Sequence, residues 1–206
     1  MNYFEQINNK AKIDDLYKFF NVDRRDPNAL WLALREPQWI DLNLGACIMG
    51  IGAAAPDYIK LATTNILVPG FNGLNIVEEL SGELELDHFW AEGTNIYPHV
   101  HWLPTTAALG TVVWQLEYTW TNKLDVEPAS TTIISVNPTE GVAWKNYRAD
   151  FNFITGTGKK VGSLLAFRFF RDPGHPQDAY TPDAAVKMFG LHVLKNTFGS
   201  RTIENK

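Results

Sequence analysis

In Thr111-Val112-Val113-Trp114-Gln115-Leu116-Glu117-Tyr118-Thr119-Trp120 the even-numbered residues are apolar or aromatic, and Gln115, Glu117 and Thr119 stand between them. A period of two belongs to a strand with one face buried, since successive side chains point to opposite sides of a pleated sheet. Upstream, Gly82-Glu83-Leu84-Glu85-Leu86-Asp87-His88-Phe89 alternates in the same way, with Leu84 and Leu86 opposed to Glu83, Glu85 and Asp87. Further strand segments are expected at 59–68, 73–79, 95–103, 131–136, 142–154, 161–171 and 184–195. Between them lie Pro69-Gly70, Asn72-Gly73, Pro104, Asn137-Pro138, Gly156-Thr157-Gly158 and Asp172-Pro173-Gly174, which are turn formers for definite backbone reasons. Strands at this spacing without intervening helical patterns predict an all-β chain, a β-sandwich of the jelly-roll kind.

Composition agrees. The chain has 26 aromatic residues and 26 glycines and prolines, both dispersed. Aromatic residues suit a half-buried pleated surface, and scattered Gly and Pro punctuate many short elements. With 206 residues, 45% apolar and 20% charged, the chain reads as globular, one domain with an added arm. The arm is expected over 1–28. Between Asn2 and Val22, Phe4, Ile7, Ala11, Leu16, Phe19 and Phe20 recur near helical spacing, and Pro27 in Asp23-Arg24-Arg25-Asp26-Pro27-Asn28 breaks the pattern. This predicts a short N-terminal helix, folded back on its own domain or buried by a neighbouring subunit. Residues 29–206 form the sandwich.

Several function classes are disfavoured. The net charge of −5 with no basic block argues against nucleic acid as a partner. No apolar run approaches a membrane span and the first residues lack the order of a secretory signal, so no membrane partner is expected and the protein reads as soluble. A single cysteine, Cys47, supplies neither a disulfide framework nor a thiolate metal site, and its apolar neighbours suggest an inert core thiol. There is no Gly-x-Ser-x-Gly elbow and no phosphate loop, and Gly156-Thr157-Gly158-Lys159-Lys160 reads as a hairpin turn. Asp87, Glu92 and Glu117 read as a solvated sheet face, and Arg168 and Arg171 as facing solvent or an acidic partner.

The chemistry-bearing residues are histidines. In Tyr97-Pro98-His99-Val100-His101-Trp102 strand geometry puts His99 and His101 on one face about 7 Å apart, close enough to share a metal ion. Gly93-x5-His99-x-His101 resembles the first half of the cupin metal motif, and His192-x3-Asn196 part of its second half. A cupin would continue with a Glu where Thr105 and Thr106 stand, and the Pro and Gly before its last His are missing. His99, His101 and His192 are therefore the candidate metal ligands. The competing reading is a polar patch or buried hydrogen-bonded cluster of His99 and His101, with or without His88, among aromatics.

Two stretches carry a resemblance. His88-Phe89-Trp90-Ala91-Glu92-Gly93-Thr94-Asn95-Ile96-Tyr97-Pro98-His99-Val100-His101-Trp102 runs on into Val113-Trp114-Gln115-Leu116-Glu117-Tyr118. Near the end come Asp178-Ala179-Tyr180-Thr181-Pro182-Asp183-Ala184, Gly190-Leu191-His192 and Gly199-Ser200-Arg201. Over roughly 74–206 this ordered set resembles a family of tailed-bacteriophage virion proteins of about this size. The resemblance implies a structural component of a phage particle, made in the host cytoplasm.

Joined with the physical reading, it leads to an expected function: a capsid decoration or cement protein, not an enzyme and with no cofactor. Its expected partners are the major capsid protein or other virion proteins, and further copies of itself in a trimer. A neck, tail or fibre-attachment component is the alternative within the same class. Trp31, Trp39, Trp90 and Tyr97 are the candidate contact residues, because Trp and Tyr are enriched at binding hot spots. From other classes come a cupin-like metal-binding protein and a glycan-binding sandwich using Trp90 as an aromatic platform.

Overall fold

The computed structural model describes residues 20–23 and 31–199, with side chains from Glu36 onward. Among the described residues twelve strands follow one another: β1 (Phe20–Asp23), β2 (Trp31–Gly45), β3 (Gly50–Ile51), β4 (Asp57–Lys60), β5 (Leu67–Phe71), β6 (Glu78–Glu85), β7 (Tyr97–Pro104), β8 (Thr111–Thr121), β9 (Thr131–Pro138), β10 (Tyr147–Asp150), β11 (Leu164–Arg171) and β12 (Ala184–Thr197). A single 3-10 turn, Ala46–Ile48, follows β2, and no α-helix occurs among the described residues. Two antiparallel sheets result. One contains the neighbours β2-β12-β7-β10, extended by β1 beside β2 and by β5 and β4 beside the start of β12. The other runs β3-β6-β11-β8-β9.

The strand order itself defines the fold. Counting from β2 and setting aside the short β3, β4 and β5, the eight main strands pair first with last, second with next-to-last and so on inward. That nesting gives two four-stranded sheets wound as a jelly roll.

The core between the sheets is aromatic. Even positions of β8 point inward, so Val112, Trp114, Leu116 and Trp120 are buried, as the alternation requires. Trp114 meets Phe71 edge-on at 5.1 Å, Trp102 stacks on Tyr147 at 5.1 Å, and Phe167 of β11 stacks on Phe189 of β12 at 4.1 Å. Such pairs add to the burial that drives sheet packing.

Several expectations are corrected. Residues 1–19, and with them most of the expected helix, lie outside the described residues; Phe20–Val22 are strand, paired with Leu32–Leu34. The 59–68 segment is not one strand: Leu61 N–H donates to Ile66 O and the chain turns back through Ala62, so β4 and β5 form a hairpin. Asn72 side-chain bonds to the N–H groups of Leu74 and Asn75 turn the 73–79 segment until Glu78, and β6 therefore begins earlier than the 82–89 alternation suggested. Of 142–154 only Tyr147–Asp150 forms a strand, and Ile154 adds an isolated bridge to Ile96. The Gly156-Thr157-Gly158 turn lies in a connection between sheets and not in a hairpin, because β10 and β11 belong to different sheets.

Three side chains also differ. Cys47 is exposed. Glu117 pairs with Arg168 across β8 and β11, and the Ser130 hydroxyl together with Arg168 holds its carboxyl below the usual range. Arg171, expected at the surface, is fully buried: its guanidinium pairs with Asp178 and donates to the carbonyls of Phe71, Tyr180 and Pro182.

Candidate functional site

The outer face of the first sheet collects the histidines. Along β2, Trp39-Ile40-Asp41-Leu42-Asn43-Leu44 alternates, so Ile40, Leu42 and Leu44 pack on the core and Trp39, Asp41 and Asn43 face out. Register then aligns the outward residues in rows. Asp41 lies opposite His192, which lies opposite Tyr97; Asn43 lies opposite Gly190, then His99, then Asp150; Gly45 lies opposite Met188, then His101, then Arg148.

His99 belongs to the outer face yet is only 2% exposed. Its ring lies across β12 at Gly190. A Cβ at that position would fall 2.3 Å from His99 Nε2 and 2.9 Å from Asn43 Oδ1, so only glycine leaves room. The His192 ring covers it, stacked at 4.3 Å, and the His101 ring meets it edge-on at 5.3 Å. His192 Nε2 donates to Asp41 Oδ1 at 2.9 Å. Nδ1 of His99 is buried with no hydrogen-bond partner.

Ligand atoms of Asp41, His99 and His192 all lie within 4.8 Å of one another. Of the three expected ligands, the structure thus brings His99 and His192 together with a carboxylate. His101 shares the face but sits one row away between Met188 and Arg148. Asp41 escaped the sequence reading, although the alternation of residues 39–44 was the signal that would have placed it outward beside the C-terminal strand.

Burial favours the neutral form of His99 and His101. Burial lowers the His99 pKa to about 4, helped by the neighbouring His192 and His101 and opposed by Asp41. His101 is lowered too, by burial first and then by Arg148 and Lys187, with Asp150 and Asp41 opposing. The unfolded chain protonates His99 near pH 6.5 whereas the folded one does so only near pH 4, so folding stability is complete above 6.5 and falls as pH drops towards 4. Urea unfolding of chelator-treated protein should therefore lose about 2 kcal/mol between about pH 7 and pH 5 from this group, and His99→Gln should flatten that slope. A wild-type profile with no loss above pH 5 would contradict the buried neutral imidazole.

An aromatic row borders the cluster. Trp39, 56% exposed, meets Tyr97, 37% exposed, edge-on at 5.3 Å, and Tyr97 meets the exposed Phe153 at 6.1 Å. Trp39 and Tyr97, with Pro98, Arg148, Asp150, Phe151 and His192, line a cleft of about 440 Å³. Of the expected contact residues, Trp39 and Tyr97 are thus at the surface. Trp31 lies in β2, its side chain outside the described residues. Trp90 is corrected: it is fully buried against Trp120 at 5.5 Å and serves the core, so it offers no platform to a glycan or a protein.

No protein-family model and no curated protein matches the chain. Among solved structures it is similar to a Clostridium thermocellum xylanase 10B fragment containing CBM22-1 and GH10 modules, complexed with xylohexaose (12% identity, TM-score 0.35, 74% of this chain and 25% of that one). It is also similar to a structure of infectious bursal disease virus, Gx strain (9%, TM-score 0.37, 84% and 36%). A third is a CBM28 carbohydrate-binding module specific for non-crystalline cellulose (9%, TM-score 0.31, 71% and 86%). The chain spans about a quarter and a third of the first two. The jelly-roll assignment rests on the strand order, not on these likenesses.

Proposed function

We propose that the protein is a structural component of a tailed-bacteriophage particle, a decoration or cement protein of the head that acts by burying apolar surface against the shell. The observation that carries this reading is the concentration of exposed apolar side chains in the segment of chain between β2 and β6. Ile48 (77% exposed), Ile66 (60%) and Leu74 (68%) stand in it with Ile51, Tyr58, Leu67, Ile76 and Val77. Cys47 links part of this segment, its thiol donating to Leu67 O at 3.4 Å and its carbonyl accepting from the Tyr58 hydroxyl at 3.3 Å.

Clustered apolar exposure of this kind marks contact surfaces. Each such side chain fully withdrawn from water gains about 1.5–3 kcal/mol, against which stands the entropy lost on association. Repeated copies, trimers among them, offset that loss by avidity. The resemblance of residues 74–206 to phage virion proteins supports the same reading.

The test is co-sedimentation of purified chain with phage heads lacking it. Wild type is expected to bind, and the double substitution Ile66→Glu/Leu74→Glu to weaken binding at least about tenfold with little change in thermal stability, since both side chains are exposed. Heads that ignore the wild-type chain, or that bind the variant equally well, overturn the proposal; binding to isolated tails instead would point to a neck or tail component.

A further inference from the structure

We propose that Asp41, His99 and His192 form a binding site for a divalent first-row transition-metal ion, with zinc as the reference ion and one coordination position open to solvent. The three residues come from β2, β7 and β12, adjacent strands of one sheet, so the backbone hydrogen-bond ladder fixes their relative positions. Their ligand atoms lie within 4.8 Å of one another, and the Asp41–His192 pair is at 2.9 Å. Bonds of about 2.0–2.2 Å arranged tetrahedrally put neighbouring ligand atoms about 3.3 Å apart, so small side-chain movements suffice.

Two features single this cluster out from an ordinary polar patch. His99 is almost wholly buried and its Nδ1 has no partner, an arrangement that is costly unless something further satisfies the ring. Gly190 gives up its side chain so that this imidazole can lie over β12 towards His192.

The donor set selects the ion. Two imidazoles and one carboxylate suit zinc or iron(II), whereas calcium and magnesium require oxygen shells. Three protein ligands leave a fourth position for water or for an oxygen of a bound molecule, and the partly exposed side chains of Asp41 and His192 leave the cluster open to solvent.

The experiment is zinc titration of the chelator-treated full chain by calorimetry, with cobalt(II) absorption as a second probe. One ion per chain is expected. His192→Ala and Asp41→Asn, both at partly exposed positions, should each weaken binding at least about tenfold, while His101→Ala should stay within about threefold. No saturable binding up to about 100 μM zinc overturns the site, as does binding that survives both His192→Ala and Asp41→Asn unchanged. Head binding plays no part in this readout, so the site and the proposed role in the particle fail separately.

Discussion

Replacing Arg171 by Met is expected to lower the unfolding free energy by about 3–5 kcal/mol, the usual cost of removing one partner of a buried ion pair. The side chain volume is nearly kept, so the loss is electrostatic and not a matter of packing. Arg171 and Asp178 are both almost completely shielded from water, joined at 2.8 Å and 3.0 Å. The same guanidinium serves the carbonyls of Phe71, Tyr180 and Pro182, and so ties the end of β5 and the strand-free segment before β12 to the end of β11. Met satisfies none of these and leaves the Asp178 carboxylate charged in a dry site, with Val113 N–H as its remaining donor. Adding Asp178→Asn removes the stranded charge, and the double variant should recover at least about 1 kcal/mol of the loss. Urea unfolding measures both. A single-variant loss below about 1 kcal/mol would show that the pair contributes no more than apolar packing would.

Truncating Trp114 to Ala should cost a comparable amount, about 3–5 kcal/mol, because the indole is fully buried between Phe71, Trp102 and Phe169 and the rigid sheets cannot close over the gap. The informative companion is Trp114→Phe. The Trp114 indole N–H is buried without a hydrogen-bond partner. Phe keeps most of the ring area and removes that unpaired donor, so its cost should be less than half that of Ala. If Phe proved as damaging as Ala, the N–H would have to be making an interaction worth as much as the packing.

The sandwich was legible wherever one face of a strand is uniformly apolar, as in Thr111–Trp120 and residues 184–195. It was illegible where side chains did not choose faces so cleanly. β2 is absent from the expected strands, and Arg35-Glu36-Pro37-Gln38 interrupts its apolar alternation. Pro37 is tolerated because the pairing of β2 with β12 slips register between Lys195 and Thr197, where a missing N–H does little harm. Missing β2 meant missing Asp41. The histidines were visible from the His-x-His spacing, but spacing within one strand cannot tell which cross-strand neighbour closes the site. Here Gly190 admits the His99 ring towards His192, while Met188 stands beside His101. Arg171 was misplaced for a related reason: a charge in a strand normally marks the wet face, and it is Asp178 in the loop after β11, with the carbonyls of Phe71, Tyr180 and Pro182, that makes burial acceptable.

The central position of β12 has a consequence for biosynthesis. Residues 184–197 pair with β7 along one side and with β5 and β2 along the other, so three earlier strands keep raw hydrogen-bonding edges until this strand, the last among the described residues, arrives. Their contacts span most of the described sequence, a topology that favours slow maturation. While translation is under way the nascent polypeptide is therefore at its most adhesive, and a ribosome-associated holdase, or rapid completion of synthesis, would do more for its yield than any gain in the stability of the finished jelly roll.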